Sequence, residues 1–124
     1  MTKHFKEKEF FCPCCKKQEM DIAFVEFLEK ARVKAEIPFR ITSAYRCEDY
    51  QADLKKRGYE TASGISPHQK GVAVDIFTPT DKARYLIMAH LAKEGFNRFG
   101  VGSNFLHVDI DSERNQNRIW YYKR

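Results

Sequence analysis

His68, Asp75, His107 and Asp109 are the residues whose types and spacing could do chemistry. His68 precedes Asp75 by seven positions in SPHQKGVAVDI, 66–76, with Gly71 between them. His107 and Asp109 lie in FLHVDI, 105–110. Both stretches alternate with the period of a strand, in which successive side chains point to opposite faces. Val72, Val74 and Ile76 share one face, and Ala73, Asp75 and Phe77 the other. Likewise Leu106, Val108 and Ile110 oppose Phe105, His107 and Asp109. If the two strands are neighbours in one antiparallel sheet, their polar groups converge, and His68 can fold back across Gly71 toward Asp75. Two neutral imidazoles and one carboxylate are a common set of three protein ligands for zinc, with water in the remaining position. Zinc lowers the pKa of such a water toward about 7 and polarises a substrate carbonyl. Each residue also has an ordinary reading. A strand histidine is commonly a surface or satisfied core residue, and Asp75 alone could be a hydrogen-bonding group at a sheet edge. His4, near the N-terminus, and His90, in a helical segment, receive that ordinary reading.

The elements that must position these groups are legible in outline. Ile22, Val25, Leu28, Ala31 and Ala35 recur at helical spacing, so a helix is expected over Glu19–Glu36. Asp21 suits the positive end of its dipole, and Pro38 marks a break beyond it. PFRITSAYR, 38–46, reads as a strand running into a loop. A second helix is expected over Glu48–Arg57, stopped by Gly58, and Tyr59–Lys70 reads as loop. Val72–Phe77 reads as a strand. Thr80 or Asp81 can cap a helix to about Glu94, closed by Gly95. Further strands are expected at Phe96–Val101, Phe105–Ile110 and Ile119–Tyr122. This mixed order predicts a compact α+β single domain over 1–124, with a small antiparallel sheet and flanking helices.

Composition sets the outer limits. With 124 residues, 43% of them hydrophobic, and ten Phe, the chain can build one real core. At this size a metal can still matter for stability. No apolar run approaches the roughly 20 residues of a membrane span. The opening MTKHFKEKEFF lacks the apolar region of a secretory signal, which predicts synthesis in the cytoplasm. The net charge of +5 favours polyanions, although the basic residues are dispersed as on an ordinary solvated surface. Cys12, Cys14, Cys15 and Cys47 do not form two Cys-x-x-Cys knuckles. Reduced, partly buried thiols are expected, with a small metal site or a crosslink through Cys47 as the alternatives.

Ser66-x-His68-x-x-Gly71-x-Ala73-x-Asp75, with His107-x-Asp109 further on, resembles the zinc D-Ala-D-Ala carboxypeptidase family. That family includes phage endolysin L-alanyl-D-glutamate peptidases and shares its fold with the N-terminal domain of hedgehog proteins. Ser43-Ala44-Tyr45-Arg46 is similar to the family's Ser-Gly-Tyr-Arg segment, and FKEKEFFCPCC, 5–15, to the start of short phage-type members. The resemblance covers almost the whole chain. It implies His68, Asp75 and His107 as ligands of one zinc ion. It implies Arg46 as the residue that binds the substrate carbonyl or developing oxyanion, where its fixed charge stabilises the transition state. Ser66 matches a residue near the substrate cleft, with a simple loop hydroxyl as the alternative. Gly71 permits close approach of the ligand loop, and Ala73 leaves room beside Asp75.

One departure stands out. Many relatives carry an acidic residue shortly before the last histidine as general base, whereas here Ser103, Asn104, Phe105 and Leu106 precede His107. Asp109 is the nearest acid. It is either the base or a residue that orients a ligand histidine. The resemblance therefore implies a monomeric zinc metallopeptidase of phage type acting on peptidoglycan stem peptides at bonds involving D-amino acids. The bond is terminal D-Ala-D-Ala or internal L-Ala-D-Glu. Such a protein acts on the cell wall after release by a route the sequence does not give. The alternative is a catalytically silent zinc-binding structural or wall-recognition module of the same fold. Nucleic-acid binding through RIWYYKR, 118–124, is not expected, because Trp120 and the tyrosines read more simply as core or edge-strand residues.

Overall fold

The computed structural model describes residues 1–123. Three helices are present: α1 over Ile22–Ala35, α2 over Glu48–Lys56 and α3 over Asp81–Lys93. Five strands accompany them, the last three in succession after α3: β1 over Ile41–Ser43, β2 over Ala73–Phe77, β3 over Arg98–Val101, β4 over Phe105–Asp109 and β5 over Arg118–Tyr121. A short 3-10 helix over Glu7–Phe10 had no periodic signal of its own, being a single turn. The side chain of Asp21 accepts from the Phe24 N–H at 2.9 Å, and Thr80 accepts from the Ala83 N–H at 3.1 Å. Each such cap contributes about 1 kcal/mol. The left-handed Glu36, φ +57°, ends α1 ahead of Pro38.

The sheet order is β1-β2-β4-β3-β5. Here the expected antiparallel sheet is corrected: β1, β2, β4 and β3 pair antiparallel, but β5 pairs parallel with β3. The reason is topological. Both edges of β4 are already taken by β2 and β3, so β5 must cross to the far edge of β3. Running opposite to β4, it runs with β3.

The β2/β4 register separates two kinds of row. Val74 faces Val108 and Ile76 faces Leu106, while Asp75 faces His107 and Ala73 faces Asp109. The aliphatic rows join Phe24, Val25, Leu28 and Ala31 of α1 and Ile87 and Leu91 of α3 in one buried core. Each fully buried side chain of this kind contributes about 1.5–3 kcal/mol on transfer from water. The polar rows are left on the opposite face, anchored from behind. Among the described residues no helix is long and apolar enough to cross a membrane.

Candidate metal centre

One row of paired residues crosses the entire sheet: Ser43, Asp75, His107, Gly100 and Trp120. His107 Nδ1 lies 3.0 Å from Asp75 Oδ1, and His68 Nε2 lies 3.4 Å from the same oxygen. Ligand atoms of His68, Asp75 and His107 all fall within 4.8 Å of one another. The three residues are 3%, 8% and 3% exposed, so the polar cluster is buried rather than spread over a surface.

Local structure explains how His68 arrives there. Ser66 is buried, and its hydroxyl accepts from the His68 N–H at 3.2 Å, which tightens the turn. Gly71 has φ +71°, and a Cβ at that position would stand 2.0 Å from the Glu19 carbonyl oxygen. The glycine thus lets the ligand loop pass against the entry to α1, where its carbonyl accepts from the Asp21 N–H at 2.9 Å. His68 Nδ1 lies 2.7 Å from the Ala44 carbonyl oxygen and donates to it, which leaves Nε2 as the electron-pair donor turned toward Asp75.

The electrostatics prepare the same set of donors. Burial pushes His68 below the usual imidazole range, and Asp75 offsets this only in part, so the ring is neutral. Burial alone would raise Asp75, but His68 and His107 hold its carboxyl well below the usual carboxylate range. His107 moves the other way. Burial opposes its charge, yet hydrogen bonds to Asp109 and Asp75 raise it above the ordinary histidine value. One neutral nitrogen, one ionised carboxylate and Nδ1 of His107 therefore converge, a donor set that can hold a divalent cation.

Asp109 lies behind His107 rather than beside Asp75. Its Oδ2 accepts from His107 Nε2 at 2.7 Å, while Oδ1 accepts from Arg98 Nε at 2.7 Å and from the Asp111 N–H at 3.1 Å. Both oxygens are engaged and the side chain is fully buried. This is the geometry of a carboxylate that fixes the tautomer and orientation of a ligand histidine. Burial opposes ionisation of Asp109, but His107 and Arg98 hold its carboxyl below the usual range.

Arg46 stands on the open side. Its guanidinium donates to Asp75 Oδ2 at 3.2 Å, to Ser43 Oγ at 3.0 Å and to Gln51 Oε1 at 3.4 Å. Two adjoining clefts, of about 370 and 270 Å³, meet there, with Arg46, Glu60 and Tyr122 lining both. Asp75 lines the larger cleft, and His68 and His107 the smaller. The cluster thus sits at the junction of a two-lobed groove.

Several participants carried no sequence signal. Trp120 lies with its ring centroid 5.6 Å from that of His107, and Arg98 stacks over Trp120 at 5.0 Å. Burial pushes the Tyr122 phenol up to about 12, so its hydroxyl remains a neutral donor at the groove. Gly100 makes room for both aromatics: a Cβ there would meet the Tyr122 ring at 2.5 Å and Trp120 Nε1 at 2.6 Å. Arg114 bonds Asp111 and the Ser63 and Ile65 carbonyls, pinning the loop ahead of His68. Only their place on β3, or on the edge strand β5 and its flanks, could have marked these residues. His4 instead pairs with Glu29, and His90 bonds the Leu86 carbonyl within α3. The cysteines are free thiols, and Cys12 is buried in the core. Burial opposes ionisation of Cys12, yet backbone N–H groups of Cys47, Cys15 and Cys14 bring its pKa down to about 7. Compared with known proteins, the chain matches no protein-family model and no curated protein.

Proposed function

We propose that the chain is a zinc-dependent peptidase that hydrolyses peptidoglycan stem-peptide bonds involving D-amino acids. The observation that carries this reading is the buried His68, Asp75 and His107 cluster at the junction of two clefts, with Arg46 against it. The donor set fits zinc: two imidazole nitrogens and a carboxylate, with no fourth His, Cys, Asp or Glu in the cluster among the described residues. Zinc bound there would supply Lewis acidity toward a carbonyl and acidify a water molecule.

The chain's own residues do the rest. His68 and His107 are oriented by the Ala44 carbonyl and by Asp109. Arg46 offers a fixed positive charge to the oxygen of a scissile carbonyl, where negative charge develops. The two clefts suit the two sides of a cleaved peptide. The choice of peptidoglycan rests on the resemblance of Ser66-x-His68-x-x-Gly71-x-Ala73-x-Asp75 to wall peptidases. The attacking water also needs a proton acceptor. Asp109 is committed on both oxygens, whereas Glu60 lines both clefts, is exposed, and uses Oε1 to accept from the Lys123 N–H at 2.6 Å.

The test is digestion of purified peptidoglycan by zinc-loaded protein, with mass spectrometry of the fragments. Released terminal D-Ala identifies a carboxypeptidase, and a new N-terminal D-Glu an endopeptidase. A second reading, a catalytically silent zinc-binding wall-recognition module, is favoured by the engagement of both Asp109 oxygens. Binding of zinc-loaded protein to the wall with no product would replace the first reading by this one.

A further inference from the structure

The four cysteines lie outside the centre just described and take no part in it. Cys12 Sγ lies 3.6 Å from Cys47 Sγ, and the thiols of Cys12, Cys15 and Cys47 fall within 4.8 Å of one another. The exposed Cys14 thiol lies outside that set, and its strongest electrostatic influence is Cys47. Three thiols thus gather within ligand distance from two segments that are 32 residues apart at their nearest, Cys15 and Cys47, with the exposed Cys14 beside them in the same turn. None is in a disulfide.

The backbone around them is built to face sulfur. Cys12 to Lys17 form a closed turn, in which the Cys12 N–H donates to the Lys17 carbonyl at 2.8 Å and the Lys16 N–H to the Cys12 carbonyl at 2.9 Å. Lys16 adopts φ +59° to close it. The turn presents Cys12 and Cys15 as a Cys-x-x-Cys pair, with Cys14 between them. The Cys47 N–H donates to Cys12 Sγ at 3.4 Å, and the N–H groups of Cys14 and Cys15 also point to that sulfur. Backbone donors aimed at a thiolate are the outer-shell partners that tune a bound metal. Lys16 and Lys17 follow directly and supply positive charge near a site that would carry net negative charge. Sulfur-only sets of this kind select zinc or another soft cation, and four-thiolate zinc sites are closed, structural ones.

We propose that Cys12, Cys14, Cys15 and Cys47 form a second metal site, a four-thiolate zinc site that clamps the N-terminal turn to the segment after β1. Its position gives it a purpose. Cys47 directly follows Arg46, and the same short segment supplies the Ala44 carbonyl that holds His68. The Tyr45 N–H donates to the Phe10 carbonyl at 3.3 Å, a further backbone tie between the two segments that the clamp would reinforce. The clamp therefore braces the groove from behind without contacting substrate. It does not depend on the hydrolytic reading.

The experiment uses the full chain carrying His68→Ala, purified with reductant, so that the histidine centre contributes no tight metal. Elemental analysis is expected to find one zinc ion per chain. Replacement by cobalt(II) is expected to produce thiolate-to-metal charge-transfer absorption in the near ultraviolet. Cys12→Ser in the same background should abolish it. Cys14→Ser, at an exposed thiol, should weaken the band while leaving the circular dichroism unchanged. A His68→Ala protein with no zinc and freely alkylated thiols overturns the proposal, as does a Cys12–Cys47 disulfide in freshly prepared protein. An unchanged cobalt band in Cys14→Ser overturns the four-thiolate assignment. Peptidoglycan cleavage is not a readout in any arm, so failure here is distinct from failure of the peptidase reading.

Discussion

His107 and Asp75 stand directly opposite each other on β4 and β2, with His107 Nδ1 3.0 Å from Asp75 Oδ1. The far nitrogen of the same ring is held by Asp109 at 2.7 Å. An imidazole bridging two carboxylates carries a proton on each nitrogen. A cation bound at Nδ1 must displace one of them.

That competition has a definite sign. The folded-state pKa of His107 is raised, so its contribution to stability is complete below the unfolded imidazole value and is lost as pH rises through the folded one. Metal affinity at this centre should do the reverse, weakening as pH falls and His107 regains its proton. In chelator-treated protein, NMR titration of the imidazole protons should show His107 ionising above, and His68 below, the ordinary histidine range of about 6.5. An identical titration of the two rings would refute the assignment of roles.

Asp109 and Glu60 separate orientation from proton transfer. Asp109→Asn removes the acceptor that fixes the His107 tautomer, and should weaken metal affinity about 10- to 100-fold. Glu60→Gln should leave metal affinity intact and lower kcat on stem peptides. Competition with a chelating dye gives the first quantity and single-turnover hydrolysis the second. Full metal affinity with no turnover in Asp109→Asn would make Asp109 the base instead.

Arg46→Met tests charge stabilisation. The side chain is only 15% exposed, held among Ser43, Gln51 and Asp75, and Met keeps its length. Metal content should be retained while kcat falls about 10²- to 10³-fold, the usual cost of removing one donor to a developing oxyanion. A rise in KM with kcat unchanged would reduce Arg46 to ground-state binding.

Two glycines should fail in different ways. Gly71→Ala drives a Cβ into the Glu19 backbone at a left-handed φ and should cost about 3 kcal/mol, read as a lower urea midpoint. Gly100→Ala meets the rings of Trp120 and Tyr122, which are side chains that can move. It should cost less stability but shift the emission of Trp120, the single tryptophan, and alter its quenching by cobalt at the neighbouring centre. Unchanged emission in Gly100→Ala would show that the aromatic wall does not depend on that glycine.

The sequence by itself determined how each strand divides its residues between an aliphatic and a polar face. The alternation around Asp75 and His107 assigned Val74, Ile76, Leu106 and Val108 to the core and the polar residues to the opposite face, because a strand's two-residue period allows no other division. The start of α3 and the end of α2 followed from Thr80 and Gly58, whose preferences are local, whereas α1, expected from Glu19, begins at Ile22 behind its Asp21 cap. Register, strand order and cross-chain proximity are not local, and only the tertiary structure decided them. It set Asp75 opposite His107 instead of one residue away, and it sent β5 parallel to β3 because both edges of β4 were filled. It turned Asp109 inward onto His107 and Arg98, which a count of positions along one strand could not resolve. It also brought Cys47 to the CPCC turn and Trp120 to His107, since closeness between distant segments depends on how the whole core packs and not on any spacing within either one.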